Sequence, residues 1–479
     1  MPLVGWSLYT FAAVSDQDQS GTSGVRKSEA HGSRASGLAV WSWVLYDFSN
    51  TIFAISILTY FYPIWLASEL GGGPGLVNAA VAISSIFVVL TAPVLGAIAD
   101  LRQKRLPYLV ALTVLAVLFT AGLSLAGGLL MGVALFVAAD LAYQSANTFY
   151  NALLPAVSVG RGAGRVSGYG TGLGYFGTIL ALVVLPLFVA QQSFFGLTFG
   201  GPEVMRSLFG PLGGWIDPTE GSNQNAFLPT AFLFLLFSLP AFLFVPDPAV
   251  RAPRPVRLGA AYREVIATLR GIGDYAGVGI FILATVLYMD AANTAIANTA
   301  LYGQQVFGME SAQTTNLLLF STVFAIVGSL GFGFASDRAG PKSTLVAVLV
   351  LWLVAITLAA GALAPWMLFA AGPLVGIALG GTWTVSRVML VALAPPEKIG
   401  EFFGLFSLAG KVSAVAGPAI TALILLLLEE AIGTVAYRIA MGSLAVIIVL
   451  GLFLLLRVPD VRPDPNIDEF APEGTATDA

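Results

Sequence analysis

The chain has no cysteine and only one histidine, His31, among its 479 residues. Without cysteine there is no disulfide, no thiolate nucleophile and no thiolate-bound metal. Histidine is the side chain that most readily exchanges protons near neutral pH, and its single copy lies in a polar stretch near the N-terminus. These absences argue against a histidine relay and a metal site, so we expect no cofactor.

Charge is also scarce, because only 10% of the residues are charged whereas 57% are hydrophobic. Soluble domains carry roughly 25% charged residues, and the mean hydropathy of this chain is +0.86. The composition therefore predicts a membrane protein whose first partner is the lipid bilayer. No nucleophile–base pattern and no phosphate-binding loop occurs, so we predict neither an enzyme nor an ATP-driven pump, and no nucleic-acid partner.

Apolar segments long enough to cross a bilayer recur along the chain. A crossing helix needs about 20 such residues, and breaks at charged or Gly/Pro-rich positions leave twelve candidates. They are roughly 39–66, 76–99, 107–127, 130–154, 167–191, 227–246, 275–301, 314–336, 343–362, 366–393, 402–428 and 435–457. We number them helix 1 to helix 12 and predict an all-α membrane protein.

Basic residues favour one side of this arrangement. The loops and tails of that side contain Arg26, Lys27, Arg34, Arg102, Lys104, Arg105, Arg161, Arg165, Arg251, Arg254, Arg257, Arg263, Arg270, Arg338, Lys342, Lys398, Arg457 and Arg462. The opposite loops contain only Arg206 and Arg438. Because loops rich in Lys and Arg stay in the cytoplasm, both termini are predicted to be cytoplasmic, in the cell membrane, or in the vacuolar membrane of a fungus.

Composition also divides the chain into five parts. Residues 1–38 and 458–479 are predicted cytoplasmic tails, the first of them polar, Gly/Ser-rich and disordered. Residues 39–246 and 274–457 are predicted six-helix bundles, joined by a cytoplasmic linker over 247–273. The linker begins "PDPAVRAPRPVRLG" and continues "AAYREVIATLR", which predicts a short surface helix. Residues 192–226 form a long outer loop with no assigned chemistry.

The two halves resemble each other in sequence. The loop after helix 2 reads "GAIADLRQKR" and the loop after helix 8 reads "GFASDRAGPK", with Asp100 and Asp337 237 positions apart. Glycine pairs in helices 5 and 11 repeat at an offset of 236: Gly168 with Gly404, and Gly174 with Gly410. Parallel six-helix repeats predict two bundles related by a pseudo-twofold axis, with a binding site between them near the midplane.

A third repeat lies within the membrane. Helix 1 carries Asp47-Phe-Ser-Asn50-Thr and helix 7 carries Asp290-Ala-Ala-Asn293-Thr, both D-x-x-N-T, at an offset of 243. Either the first outer loop contains an insertion, or Asp290 lies almost two turns nearer the outside than Asp47. A charged Asp at a helix centre costs about 2.5–3.5 kcal/mol, so each acid should have a partner or a function.

The loop after helix 2 resembles the signature of the major facilitator superfamily, G-x-L-A-D-R-x-G-R-K, and the loop after helix 8 is a second copy. The matching positions are Gly96, Asp100, Lys104 and Arg105 in the first, and Gly333, Asp337, Arg338, Gly340 and Lys342 in the second. The resemblance implies a cytoplasmic gate. In it, each aspartate would bind the N-terminus of the facing helix of its own half.

Three longer segments resemble a narrower family. They are "LYDFSNTIFAISILTYFYPIW", "FYNALLPAVS…GRVSGYGTGLGYFG" and "GGTWTVSRVMLVALAPPEKIGEFFGLFSLAGKVSAVAGP". These are similar to the vacuolar effluxer-like branch, also called the unknown major facilitator family. In fungi the resemblance implies release of amino acids from the vacuole, whereas prokaryotic members have no assigned substrate.

Other polar residues within the spans extend the candidate site. Arg387 and Lys411 are basic residues that could hold a substrate carboxylate or neutralise Asp47 and Asp290, although Arg387 could also extend to the cytoplasmic surface. Helix 4 carries a polar stripe, Asp140, Gln144, Asn147 and Asn151. We expect Asp140 to be a solvated residue near the outer end. The predicted site for substrate or protons is Asp47, Asn50, Asp290, Asn293, Asn147, Asn151, Arg387 and Lys411.

Acidic and basic groups facing one cavity suit a zwitterion. We therefore predict a monomeric secondary transporter that moves a small polar metabolite by alternating access, with an amino acid as the leading candidate and proton coupling as a further hypothesis. The alternatives are a sugar or drug transporter, and a non-transporting receptor or scaffold. For each polar residue, a purely structural interhelical bond remains the competing interpretation.

Overall fold

The computed structural model describes residues 35–194, 197–210, 219–247, 258–275, 277–413 and 415–461. These residues belong to one compact unit, Gly32–Ala479. Most of the predicted N-terminal tail lies outside the described residues, as do the Pro/Arg-rich part of the linker (248–257) and the end of the chain (462–479).

Twelve helices in the described residues are long and apolar enough to cross a membrane, as predicted. They are Gly37–Glu69, Gly73–Arg102, Leu106–Leu123, Leu129–Ala152, Ala163–Val189, Asn223–Phe244, Val278–Phe307, Ser311–Ala339, Pro341–Ala360, Pro365–Leu393, Pro396–Ile432 and Thr434–Arg457. Helix 4 is followed by a short helix, Leu154–Ser158. Helices 1, 3, 4 and 6 enclose one large apolar core, and helices 7, 9, 10 and 12 contribute to another.

Helix 1 is irregular in its second half. An α-helical segment, Gly37–Phe53, is followed by π-helical turns at Ala54–Tyr60 and Trp65–Glu69, with α-helix between them at Phe61–Ile64. At its end the Glu69 carboxylate accepts hydrogen bonds from Ser222 Oγ at 2.7 Å and from the Asn223 backbone N–H at 2.9 Å. Since those residues begin helix 6, Glu69 ties the two helix ends together.

Helix 11 is interrupted near the middle of the membrane. Its first segment runs from Ile399 to Val412 and its second from Ala416 to Ile432. Pro418 lies in the first turn of the second segment, where a missing backbone N–H breaks no helical hydrogen bond. The sequence "AGP" at 416–418 therefore favours a helix that begins there over one that continues through.

Two features lie outside the membrane-spanning helices. The long outer loop contains an antiparallel hairpin, Gln191–Phe194 with Leu197–Gly200, followed by a short helix at Pro202–Leu208. The linker contains a helix at Leu258–Arg270, where the surface helix was predicted. This linker helix packs Ala261 and Val265 against Val94, Ala97 and Ile98 of helix 2.

The face that carries the Lys/Arg-rich loops after helices 2, 4, 8 and 10 and the linker helix is called the basic face here. Near it, the two halves approach each other at glycine positions. A Cβ placed on Gly96 of helix 2 would overlap the Gly400 carbonyl of helix 11. A Cβ on Gly333 of helix 8 would lie 2.6 Å from the Gly164 carbonyl oxygen of helix 5. Helices 2 and 11, and helices 5 and 8, are therefore in close backbone contact near the basic face.

Candidate functional site

Asp100, at the end of helix 2, binds the beginning of helix 11. Its carboxylate accepts hydrogen bonds from the backbone N–H groups of Gly400, at 3.0 Å, and Glu401, at 2.7 Å. Arg105 Nη2 also donates to it, at 3.1 Å, and both side chains are at least nine-tenths buried. A carboxylate at a helix N-terminus is stabilised by the unpaired amides and by the helix dipole.

Asp337, at the end of helix 8, repeats this arrangement at the beginning of helix 5. It accepts from the backbone N–H groups of Gly164, at 2.7 Å, and Arg165, at 3.0 Å. Arg165 Nε donates as well, at 2.9 Å, but the Arg165 side chain is 41% exposed. The two aspartates with their helix N-termini are called the two latches below.

The expectation that each aspartate binds a helix of its own half is wrong. Asp100 belongs to the first six helices and binds helix 11, whereas Asp337 belongs to the last six and binds helix 5. The motif identifies the carboxylate but not the chain segment that it contacts. A bond within one half would leave the two halves free to separate, and the observed bonds join them.

The remaining residues of the predicted gate make unequal contacts in this structure. Gly96 and Gly333 permit the backbone contacts described above, and Gly340, with φ of 89°, ends helix 8 in a conformation that favours glycine. Lys342 Nζ donates to the Leu456 carbonyl at 3.0 Å, near the end of helix 12. Two further gate residues, Lys104 and Arg338, are exposed.

Within the membrane, Arg387 of helix 10 reaches across to the first bundle. Its Nη2 donates to Asp47 Oδ2 at 2.9 Å and to Thr171 Oγ1 at 2.6 Å. The side chains of Arg387 and Asp47 are 8% and 13% exposed. The alternative in which Arg387 extends to the membrane surface does not apply, since helix 10 packs against helix 5 here and Ser167 Oγ donates to the Thr384 carbonyl at 2.9 Å.

Aromatic rings and amides surround this ion pair. The guanidinium carbon of Arg387 lies 5.8 Å from the ring centre of Trp43 and 6.0 Å from that of Tyr150. A Cβ on Gly170 would lie 2.9 Å from Asp47 Oδ2, so the glycine makes room for the carboxylate. Cation–π contacts of this kind contribute about 0.5–2 kcal/mol, which helps to hold the cation in an apolar environment.

The predicted amides line the same region. Asn151 Oδ1 accepts from Arg387 Nη1 at 3.4 Å, and Asn147 Oδ1 accepts from Asn50 Nδ2 at 3.3 Å. Asn147 and Asn151 are partly exposed, whereas Asn50 is buried with its Oδ1 lacking a hydrogen-bond partner among the described residues. The structure thus brings together five of the eight predicted site residues: Asp47, Asn50, Asn147, Asn151 and Arg387.

Asp290 lies elsewhere. It is 1% exposed, and its carboxylate lies at the backbone amides of Val415, Ala416 and Gly417. A Cβ on Gly417 would lie 2.9 Å from Asp290 Oδ2, so the carboxylate faces the beginning of the second segment of helix 11. Asn293 is partly exposed and has no hydrogen bond within the described part of the chain.

The two D-x-x-N-T segments also differ in depth. Asp47 contacts helix 5 at Gly170, six residues beyond the latch residue Gly164, whereas Asp290 contacts helix 11 at Gly417, 17 residues beyond the latch residue Gly400. Eleven additional residues correspond to about 16 Å along a helix. The contacts favour the alternative in which Asp290 lies farther from the basic face than Asp47.

Asp140 is a residue whose environment the sequence did not reveal. The expectation that it is solvated is wrong, because it is 1% exposed and is the twelfth residue of the 24-residue helix 4. Ser84 Oγ donates to its Oδ2 at 2.6 Å, and Gln144 Nε2 donates to its Oδ1 at 3.1 Å. Lys411 Nζ lies 3.9 Å from Asp140 Oδ2, so Lys411 faces Asp140 rather than Asp47 or Asp290.

Sequence reasoning missed several members of the site. Thr171, Trp43, Tyr150 and Ser84 are residue types that are common in membrane helices, and nothing in their spacing distinguishes them from packing residues. For Asp140 a signal existed, since its stripe with Gln144, Asn147 and Asn151 places all four on one helix face. That stripe faces the second bundle, and Asp140 shares its environment.

The chain matches the model of a known protein family. The family model described as "Vacuole effluxer Atg22 like" matches residues 158–464, well over half of the chain. The chain belongs to this family. An uncharacterized MFS-type transporter, YxiO of Bacillus subtilis, is 25% identical to this Atg22-like protein over 434 residues, which cover 88% of this chain and 94% of YxiO.

The relationship to fungal relatives is narrower. Autophagy-related protein 22-1 of Neosartorya fischeri is 23% identical over 326 residues, which cover 61% of this Atg22-like protein and 48% of the fungal protein. An uncharacterized protein of Aquifex aeolicus matches over 87% of this chain and 96% of its own length, at 22% identity. The bacterial relatives are therefore similar over nearly their full length, and the fungal one over about half.

Solved structures of transporters share the fold. The human organic anion transporter MFSD10 superposes with a TM-score of 0.63 at 16% identity, covering 87% of this chain and 98% of its own. A bacterial homologue of the iron transporter ferroportin, in an outward-facing state, gives 0.58 at 16% identity, covering 88% and 98%. The predicted fold of two six-helix bundles is confirmed. This Atg22-like protein is a multi-pass membrane transport protein of the major facilitator superfamily.

Proposed function

We propose that the protein is a secondary active transporter that moves a small polar metabolite by alternating access, with an amino acid as the leading candidate and protons as the coupling ion. The proposal is supported by the ion pair between Asp47 and Arg387, which connects the two bundles inside the membrane. A buried ion pair contributes little net stability by itself. A charged ligand that competes for groups between the bundles would give the pair a function.

The orientation follows from the basic loops. By the positive-inside rule the basic face is cytoplasmic, and the two latches then close the cytoplasmic side. The described state corresponds to the outward-facing half of the cycle. Substrate would enter from the opposite face, and its release would require both latches to open.

A zwitterion matches the charges of the site. The substrate ammonium would bind one of the acids between the bundles, and the substrate carboxylate would bind one of the two cations there, Arg387 or Lys411. The partly exposed amides of Asn147 and Asn151 would add hydrogen bonds without adding charge. Binding would replace a direct bond between the bundles with one through the substrate, so that occupancy changes how strongly the two bundles are held together.

Asp290 and Asn293 remain part of the proposal in a different role. Asp290 is an intramembrane acid buried against the first backbone amides of the second segment of helix 11, a position that would suit a group that changes protonation during the cycle. Its depth keeps it away from Asp47. We therefore assign it to neither the substrate ammonium nor the Asp47 pair.

The test is uptake by the purified full-length protein in proteoliposomes, with a panel of neutral, acidic and basic labelled L-amino acids. We expect uptake of at least one amino acid, accelerated by an acidic outside. Glu430, an exposed acid near the end of helix 11 that is farthest from the basic face, provides a matched control for variants of the buried acids, since Glu430→Gln removes one carboxylate as they do.

Two results would contradict the proposal. Uptake of sugars or organic cations with no uptake of amino acids would favour the rival transporter of the same fold. Binding without flux, detected as ligand-dependent thermal stabilisation in a protein that moves no substrate, would favour a receptor.

A further inference from the structure

The contacts between helices 4 and 11 point to a second charged site, which rests on the proposed function and makes it more specific. On helix 11, Gly400, Gly404, Ser407 and Lys411 follow one another at spacings of four, three and four, so they share one face. This face is called the helix 11 seam below. It packs against the first bundle, and Lys411 is its member farthest from the basic face.

Each step along the helix 11 seam makes a different contact. The Gly400 backbone N–H donates to Asp100 in one of the two latches, and a Cβ on Gly404 would lie 2.5 Å from Pro93 Cα of helix 2. Ser407 Oγ lies 3.2 Å from Thr148 Oγ1 of helix 4. At the end, Lys411 faces Asp140, twelve residues from the beginning of helix 11 and therefore about 18 Å along its axis. The pair lies near the middle of the membrane, between the bundles.

The ammonium of Lys411 is not saturated by this pair. Its Nζ lies 3.9 Å from Asp140 Oδ2, beyond the 2.7–3.2 Å of an N–H···O hydrogen bond. The Lys411 side chain is 21% exposed, whereas that of Asp140 is 2% exposed. Lys411 therefore has N–H donors available on its accessible side, and the buried Asp140 carboxylate neutralises its charge from the other side.

Asp140 can accept a proton without losing its hydrogen bonds. As a carboxylate it accepts from Ser84 and Gln144; as an acid it can donate to the Ser84 hydroxyl oxygen and still accept from Gln144. Lys411 is the charged group facing Asp140 from helix 11, and helix 2 contributes only the Ser84 hydroxyl there. Helix 3 has no charged side chain within Leu106–Leu123, and Asp47 of helix 1 is paired with Arg387.

The pair of Asp47 and Arg387 behaves differently. Arginine stays protonated in proteins, and the Arg387 guanidinium donates to three side chains and one carbonyl: Asp47, Thr171, Asn151 and the Trp383 carbonyl. Protonation of Asp47 would leave a buried cation without its counterion, which costs several kcal/mol. Of the two pairs between the bundles, the lysine pair is the one suited to proton exchange.

We propose that Asp140 is the proton-coupling residue and that Lys411 binds the carboxylate of the substrate. In the empty transporter Asp140 neutralises Lys411. A proton from the outside bonds to an Asp140 carboxylate oxygen, and the substrate carboxylate replaces Asp140 as the counterion of Lys411. Both leave on the opposite side after the bundles rock, so one proton moves with each substrate and one positive charge moves with each zwitterion.

The experiment uses proteoliposomes and the labelled L-amino acid that wild type takes up fastest in the panel above. An outside more acidic by about two pH units can support about 100-fold accumulation at one proton per substrate. Wild type and the control Glu430→Gln should show this accumulation together with an inward current. Asp140→Asn should lose both, while exchange of labelled for unlabelled substrate at equal pH persists.

The anchoring role of Lys411 has its own readout. The methyl ester of the same amino acid lacks the carboxylate and should compete with uptake about tenfold more weakly than the free acid in wild type, a difference of about 1.4 kcal/mol. In Lys411→Gln the ester and the free acid should compete equally. Asp140→Glu, which keeps a titratable group, should retain proton-driven accumulation at a lower rate.

The outcomes separate the two claims. Proton-driven accumulation and current that survive in Asp140→Asn overturn the inference and leave the proposed function standing. If Lys411→Gln still discriminates against the ester, Lys411 does not bind the substrate carboxylate. This measurement tests the role of Lys411 even when Asp140→Asn fails to reach the membrane. No uptake of any amino acid by wild type contradicts the proposed function, and the inference with it.

Discussion

The two halves of the molecule agree at the basic face and differ inside the membrane. At the basic face, Asp100 and Asp337 each bind two successive backbone amides at the beginning of a helix in the other half. Inside the membrane, Asp47 has an arginine partner across the interface, whereas Asp290 lies against helix 11 of its own half. The repeated sequence thus preserves the two latches, whereas the intramembrane acids of the two halves have different partners.

The two intramembrane acids should respond differently when each is neutralised separately. Asp47→Asn leaves Arg387 buried without its counterion, and breaking such a pair costs about 3–5 kcal/mol. Transport should fall by well over tenfold. Asp290→Asn loses at most the interaction with a helix N-terminus, about 0.3–2 kcal/mol, and transport should fall less.

Uptake rates normalised to protein in the membrane measure this difference. The double variant Asp47→Asn/Arg387→Gln removes both charges and should regain stability relative to Asp47→Asn. Equal losses in Asp47→Asn and Asp290→Asn would contradict the asymmetry between the two halves.

A smaller difference is expected between the two latches. Asp100→Ala removes the acceptor of two backbone amides and leaves the buried Arg105 without its carboxylate partner. Asp337→Ala also removes the acceptor of two amides, but the arginine left without its partner, Arg165, is 41% exposed and can be hydrated. Hydrogen bonds to charged groups contribute about 1.5–3 kcal/mol each. We expect both variants to open the basic face, and Asp100→Ala to open it more often.

The absence of cysteine makes the measurement direct. Spin labels on Arg102→Cys and Arg338→Cys, both exposed on the basic face, report the separation of the bundles with no background thiol. The same labelled pair with intact latches is the reference. A larger opening in Asp337→Ala than in Asp100→Ala would contradict the ranking.

The smallest effect is expected from added methyl groups in helix 8. A Cβ on Gly333 would lie 2.6 Å from the Gly164 carbonyl oxygen, whereas a Cβ on Gly331 meets nothing within 4 Å. Overpacking costs about 1–3 kcal/mol, so Gly333→Ala should shift the spin-label distance towards an open basic face. Gly331→Ala, two residues away, should leave the spin-label distance unchanged. Equal shifts in the two variants would show that the contact between Gly333 and Gly164 does not control the opening of the basic face.

The sequence predicted the fold well because long apolar segments and basic loops are local features. The twelve helices begin and end within several residues of their predicted positions. The gate motif likewise identified Asp100 and Asp337, but their partners lie 300 residues or more than 170 residues away along the chain. Local patterns carry no information about such partners.

Within the membrane, the errors have a common cause. The prediction that Asp140 is solvated rested on its distance from a helix end. Asp140 is in fact the twelfth residue of the 24-residue helix 4, and Ser84 of helix 2 and Lys411 of helix 11 complete its environment. The offset of Asp290 left two depths open, and only contacts with helix 11 distinguish them. Polar residues in a span are identified by composition, but their grouping depends on helix packing.

The linker helix has a mechanical consequence. It packs against helix 2 of the first bundle, while Lys398, in the first turn of helix 11, donates to Thr268 at 2.9 Å and lies 3.5 Å from Glu264. When helices 2 and 11 part, this segment can keep only one of its two attachments. Its docking would therefore differ between the state in which the basic face is closed and the state in which it is open.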